Sequence, residues 1–322
     1  MLIILLTNAT FTRNNVLKDG ISFWGDVVKK SPDKPRGYNS LGLAYAGKSM
    51  FDEAFVLYDK AIFLYKMRRG SKEGLYNAYV NRGRAYEKMK FYDKAIDEYN
   101  MAISLLPDFA VAYNNRGVAY AYQNRLEDAL KDFNKALALN PNYVDAYQSR
   151  GFSYLSAGHY DESIRDMNAA IRLRPDNPKL YGIRGSAYEK IGEHSRAIDD
   201  LNRAISAYPT TASYYIHRGL AFDGIGQFPS AIRDYTMALF LGAKNAQTYI
   251  NRGITYGKQG LYDKALNDFN QAIALDQNHA DSYHNRGYLY HLQGKRDAAI
   301  ADFKKACSLG DRASCAALRK TL

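Results

Sequence analysis

Glycine recurs at Gly83, Gly117, Gly151, Gly185, Gly219, Gly253 and Gly287, each 34 residues after the last, and an eighth copy, Gly42, is set back by a seven-residue insertion. A fixed period of this length marks an array of like supersecondary units, none of which can bury its apolar face alone. It overrides the count of about two globular domains that a length of 322 residues would otherwise suggest. With this glycine placed at position 8, position 4 is tyrosine throughout, from Tyr38 to Tyr283, and position 11 is aromatic throughout, from Tyr45 to Tyr290. Position 20 is alanine except for Ser163, position 27 is alanine from Ala61 to Ala306, and position 24 is large and apolar from Tyr58 to Phe303.

Positions 4, 8 and 11 share one face of a first helix, and positions 20, 24 and 27 share one face of a second. The glycine and the small residue at 20 let the two backbones approach, while the rings fill the space beside that contact. Gly158, Gly192, Gly226, Gly260 and Gly294, at position 15, suit the left-handed residue that closes a helix. Pro107, Pro141, Pro175 and Pro209, at position 32, stop the second helix.

This pattern resembles the tetratricopeptide repeat family over residues 35–309. The resemblance implies an all-α fold, a right-handed superhelical solenoid of eight helix-turn-helix repeats at 35–75, 76–109, 110–143, 144–177, 178–211, 212–245, 246–279 and 280–309. A capping helix is expected at 310–322. Residues 1–34 are expected to hold a half-repeat, with Ile21, Trp24, Val27 and Val28 as its apolar stripe and Pro32 as its stop. Lys66, Ala243, Gln277 and Asp311 replace the position-32 proline, so looser junctions are expected there. The insertion around residues 66–73 is basic and is expected to extend helices or loops outward.

Position 7 is arginine in seven repeats, Arg82, Arg116, Arg150, Arg184, Arg218, Arg252 and Arg286, and position 23 of the same seven is acidic, from Glu98 to Asp302. Repeat one carries Leu41 and Leu57 instead. The paired exchange predicts an arginine–carboxylate bridge between the two helices of each hairpin. The alternative, an arginine ladder for phosphates, would be neutralised by those carboxylates.

The apolar Met1–Leu6, the polar stretch that follows and the half-repeat together resemble the junction in polytopic membrane proteins of the protein O-mannosyltransferase type. There a multi-span catalytic part precedes an extracytoplasmic repeat domain. That resemblance implies a periplasmic or extracytoplasmic, membrane-associated setting, against the alternative of a frayed end on a cytoplasmic protein. Cys307 and Cys315, the two cysteines of the chain, flank a turn at Gly310 and Asp311 that can bring their sulfurs within bridging distance. They also resemble the paired cysteines of Sel1-like repeats, which implies a disulfide, while two buried thiols in a reducing compartment are the alternative.

The resemblance places the binding surface on the concave face lined by first helices, at positions 2, 5, 6, 9, 12 and 13. Position 6 carries Asn81, Asn115, Asn251 and Asn285, similar to the asparagine ladder of the O-GlcNAc transferase superhelix, with Ile183 and His217 as a gap. Asparagine amides both donate and accept, so spaced copies can grip an extended peptide backbone whatever its sequence. Asn114, Tyr122, Phe152 and Tyr288, with Gln148 and His284, complete the candidate surface.

No phosphate loop, nucleophile elbow or paired-cysteine zinc spacing is present, so neither catalysis nor any cofactor or metal is expected. The net charge of +11 favours acidic partners, but it forms no cluster of the kind nucleic acid requires. The sequence therefore predicts a non-catalytic scaffold for a protein or an extended peptide. The alternatives are an acceptor-recognition domain of a membrane glycosyltransferase and a binder of an anionic polymer.

Overall fold

The computed structural model describes residues 20–67 and 72–321. Among them are eighteen α-helices and no strand. The chain divides after Ser153 into two units.

Unit 1 begins with α1 (Gly20–Lys30), followed by α2 (Pro35–Gly47), α3 (Phe51–Met67), α4 (Lys72–Lys88), α5 (Tyr92–Leu105), α6 (Ala110–Tyr122) and α7 (Leu126–Leu139). Helix α8 (Val144–Ser156) runs across the division. Within unit 1, α2 packs on α3 and α4 on α5, and α6 packs on α7, each hairpin also meeting the next. The first helices α2 and α4, and likewise α4 and α6, touch each other directly.

Unit 2 holds α9 (Tyr160–Leu173), α10 (Pro178–Lys190), α11 (His194–Ala207), α12 (Ala212–Gly224), α13 (Phe228–Phe240), α14 (Ala246–Lys258), α15 (Tyr262–Leu275), α16 (Ala280–Leu292), α17 (Arg296–Ser308) and α18 (Arg312–Thr321). The hairpins α10–α11, α12–α13, α14–α15 and α16–α17 stack in order, and α18 packs on α17.

The hairpin core follows from the repeat positions. Ala54, Tyr58 and Ala61 of α3, and Ala129, Phe133 and Ala136 of α7, are fully buried, as positions 20, 24 and 27 require. A Cβ on Gly117 would stand 2.8 Å from Cε1 of Phe133 and 3.1 Å from the Ala129 carbonyl oxygen. The position-8 glycine is thus fixed by the ring at 24 as much as by the backbone at 20.

The helix-closing residue at position 15 is left-handed in all eight repeats. It is glycine in Gly158, Gly192, Gly226, Gly260 and Gly294, but Ser49 (φ 60°), Lys90 (φ 63°) and Asn124 (φ 59°) adopt the same conformation in unit 1. Tyr38, Tyr181 and Tyr215, at position 4, donate their hydroxyls to the carbonyls of Pro32, Pro175 and Pro209, tying each first helix to the preceding turn. Where Ala243 replaces the proline, Gly242 turns the chain at φ 97° and Asn245 caps α14 by accepting from Thr248 N at 2.9 Å.

The insertion lengthens two helices: α3 and α4 have 17 residues each, against 13 or 14 in the later hairpins. Residues 68–71 between them are outside the described residues. Gly74 lies where a Cβ would fall 2.1 Å from the Tyr65 ring, so the added turn of α4 packs directly on the added turn of α3. At the other end, Cys307 and Cys315 are joined by a disulfide with Cα atoms 4.8 Å apart. Position 28 is isoleucine or leucine in the other seven repeats, and Cys307 occupies it in the last. His284 Nδ1 lies 2.9 Å from Asp311 Oδ2 and 2.8 Å from Ser314 Oγ, and Ser314 N donates to the same carboxylate at 2.7 Å. The last hairpin therefore holds α18 by a covalent link and a polar one.

Candidate partner-binding surface

The arginines at position 7 are joints between helices. In α6, Arg116 donates Nε and Nη2 to the two oxygens of Asp132 at 2.7 and 2.8 Å. The same two-pronged contact joins Arg82 to Glu98, Arg184 to Asp200, Arg218 to Asp234, Arg252 to Asp268 and Arg286 to Asp302. These arginine side chains are 16–20% exposed and their acids 1–12%. Hydrogen bonds donated to the acids hold the Arg116, Arg184 and Arg286 guanidinium groups above the ordinary arginine range.

A third prong was not anticipated from the sequence. Nη1 of Arg116, Arg150, Arg184, Arg218 and Arg286 donates to Asn100, Asn134, Asn168, Asn202 and Asn270, at position 25 of the preceding repeat. Thr236 serves Arg252 in the same way and Asp59 serves Arg82. One guanidinium thus clamps its own hairpin and the one before it. The signal is present in the sequence: position 25 is polar in every repeat that precedes an arginine-bearing one, and the corresponding residue of α1 is Gly25, ahead of Leu41. Arginine, acid and acceptor are exchanged as a set of three.

The two position-6 asparagines of unit 1 differ in their contacts. Asn81 of α4 donates to Asn39 of α2 at 3.1 Å. On α6, Asn114 donates to Asn115 at 3.4 Å, which leaves Asn114 Oδ1 and Asn115 Nδ2 buried with no partner among the described residues. Asn114 is only 5% exposed, so it offers a ligand less surface than its helical position suggests. Tyr122 (60% exposed) and Phe152 (54%) do present their rings to solvent, and Tyr122 is stacked on Tyr92 with centroids 5.2 Å apart.

In unit 2 the equivalent groups are tied down. Asn251 accepts from Gln247 at 2.9 Å and Asn285 donates to the Asp281 carbonyl at 2.7 Å, both within their own helices. His217, in the gap of the ladder, meets Glu189 of the preceding first helix at 3.0 Å. Asp223 of α12 takes Lys258 and Thr255 of α14. Tyr288 remains 54% exposed.

The two glutamates at position 12 differ accordingly. Burial pushes Glu87 up, and the Tyr99 hydroxyl, Arg84 and Lys88 only partly offset it. Burial also pushes Glu189 up, but His217 and Lys190 together bring it below the ordinary carboxylate range. Among the described residues no cluster of His, Cys, Asp and Glu could hold a metal ion, and no helix is long and apolar enough to cross a membrane. Met1–Leu6 and the polar stretch after them, which carry the membrane-junction expectation, lie outside the described residues.

Tetratricopeptide repeat models match residues 110–143 and 246–279, 150–212, and 133–165 and 269–301, and a TPR repeat model matches 83–123. No curated protein matches the sequence. Among solved structures, a chain of the APC/C hetero-tetramer Cut9–Hcn1 aligns with a TM-score of 0.65 at 19% identity, covering 88% of this chain and 55% of its own. The present chain therefore spans little more than half the length of that relative. A tetratricopeptide repeat protein from Parabacteroides merdae aligns with a TM-score of 0.57 at 18% identity, covering 76% of this chain and 98% of its own. PilF of Pseudomonas aeruginosa gives 0.58 at 16%, covering 64% and 94%. At these identities the likeness concerns the fold. Family models that together span more than half of the chain, laid over the hairpins described above, establish that it belongs to the tetratricopeptide repeat family.

Proposed function

We propose that the protein is a non-catalytic interaction scaffold whose first-helix face in unit 1 holds an extended segment of a partner protein. The observation that carries this reading is the amide set at positions 5 and 6. Asn39 and Asn81 bridge two first helices, and on the next one Asn114 and Asn115 keep an unpaired acceptor and an unpaired donor. A buried amide without a partner is costly in the free protein, by about 1–3 kcal/mol, and an extended backbone offers one N–H and one C=O per residue to relieve it. Repeat arrays of this family present such extended faces for binding.

The test is a display library of extended peptides selected against the whole chain, followed by calorimetry of the strongest binder. Replacing Asn81, Asn115, Asn251 and Asn285 together by alanine is expected to weaken that binder at least tenfold. An unchanged affinity in a variant with an unchanged melting curve removes the amides from recognition.

A further inference from the structure

We infer that the unit 1 face selects a segment in which an acidic side chain is followed, about three residues later, by an aromatic or large aliphatic one. The inference rests on the reading above, that this face holds an extended segment, and it names that segment's chemistry.

Helix α4 presents Asn81, Arg84 and Lys88 in one stripe, at positions 6, 9 and 13. Arg84 and Lys88 are exposed, and among the described residues neither has a carboxylate within ion-pair range. The carboxyl nearest to them, Glu87, is turned into the hairpin, where it accepts from the Tyr99 hydroxyl at 3.0 Å and is pushed toward its neutral form by burial. Arg36 on α2 is also exposed with no carboxylate in ion-pair range among the described residues, and Asp145 on α8 is an exposed acid at position 2 of its helix. In unit 2, by contrast, the carboxylates of Glu189 and Asp223 are already engaged by His217, Lys190 and Lys258.

Beside the α4 stripe lies that of α6, where Asn115, Val118 and Tyr122 occupy the same three positions, and Phe152 holds position 9 on α8. Tyr122 and Phe152 are more than half exposed and carry no charge. A cationic column therefore stands next to an apolar one, with the amides along one edge of both. Packed helices lie about 8–10 Å apart and an extended chain advances about 3.3 Å per residue, so one step from α4 to α6 corresponds to about three residues. An acid over Arg84 and Lys88 places the third residue beyond it over Val118 and Tyr122.

The experiment uses fluorescent peptides, acetylated and amidated so that side chains supply the only carboxylates, measured by anisotropy against the full chain. One peptide carries aspartates three residues before phenylalanines. A second has lysine for aspartate and a third has serine for phenylalanine. The first is expected to bind at least tenfold more tightly than either of the others, and to weaken as salt rises from 50 to 300 mM. Arg84→Glu with Lys88→Glu is expected to cost at least tenfold for the first peptide, at exposed sites where an unchanged melting curve verifies the fold. Tyr122→Ala is expected to cost the advantage of phenylalanine over serine. Equal binding of the aspartate and lysine peptides, or an unaffected Arg84/Lys88 variant, overturns the acidic assignment while leaving the peptide face intact. Failure of every peptide, including those selected by display, overturns the face itself and this inference with it.

Discussion

In unit 1 the left-handed residue that closes each first helix is Ser49, Lys90 or Asn124, whereas in unit 2 it is glycine five times over. The same contrast recurs on the first helices. Unit 1 leaves Arg84 and Lys88 without an ion-paired carboxylate among the described residues and the Asn114–Asn115 pair with an orphan donor and acceptor, while on the first helices of unit 2 Glu189 and Asp223 are engaged by His217, Lys190 and Lys258. The three-pronged arginine joints, however, are common to both. Structural positions are therefore repeated without regard to unit, whereas the first-helix amides left with an orphan donor and acceptor, Asn114 and Asn115, fall in unit 1. Such a distribution is expected where one set of residues keeps hairpins together and another meets a partner.

The largest effect should follow from breaking a joint. Asp268→Ala leaves the Arg252 guanidinium without its carboxylate in a nearly buried site and is expected to cost about 3–5 kcal/mol in urea unfolding. The double change Arg252→Leu with Asp268→Leu, which copies Leu41 and Leu57, should be far milder, and Asp132→Ala in unit 1 should match the single change. A joint that costs the same whether broken or replaced by leucines would show that the arginines carry more than packing. Next in size is the clip at the C-terminal end. Cys307→Ser with Cys315→Ser is expected to lower the stability of the last hairpin by about 2 kcal/mol, and native mass should lie two hydrogens below that of the reduced chain.

The turns should respond less. Lys90→Gly and Ser49→Gly relieve a left-handed side chain and are expected to stabilise by about 1 kcal/mol each, whereas Gly192→Ala should destabilise by a similar amount. Thermal melts of the three variants check the sign. The smallest effect is electrostatic. Glu189 has a lowered folded pKa, so its contribution is present above the ordinary carboxylate range and is lost as pH falls through the folded value. Glu87 has a raised one, so its contribution is present below that range and is lost as pH rises through the folded value. Glu189→Gln should therefore lower stability at neutral pH and flatten the acid limb of the profile, while Glu87→Gln should not lower it at neutral pH. Identical profiles for the two variants would erase this difference between the units.

Much of the fold is written in the period. Thirty-four residues, a small pair at 8 and 20, and rings at 4, 11 and 24 leave a helical hairpin as the way to bury all of them. The arginine–acid bridge is legible for the same reason, since both members change together in repeat one. Its third prong went unread because Asn100 and its equivalents look like ordinary solvated residues of a second helix. Their meaning appears only in register with the arginine sixteen residues on. Lys90 and Ser49 could not be recognised as left-handed from residue type, because only the neighbouring repeats' glycines announce that backbone. The candidate surface was legible as positions and much less as contacts. Helical spacing places Asn114 on the same helix as Tyr122, but it cannot tell that one is buried and the other open. Nor can it tell that Asn251 and Asn285 bond within their own helices while Asn81 reaches across to Asn39.

The central claim is that recognition resides on the amide-bearing face of unit 1. It is tested most directly by titrating one display-selected peptide against two double variants of the whole chain. Asn81→Ala with Asn115→Ala should weaken binding at least tenfold, and Asn251→Ala with Asn285→Ala should leave it within twofold of the unaltered protein. The reverse order of the two variants, or equal losses in both, would contradict the account.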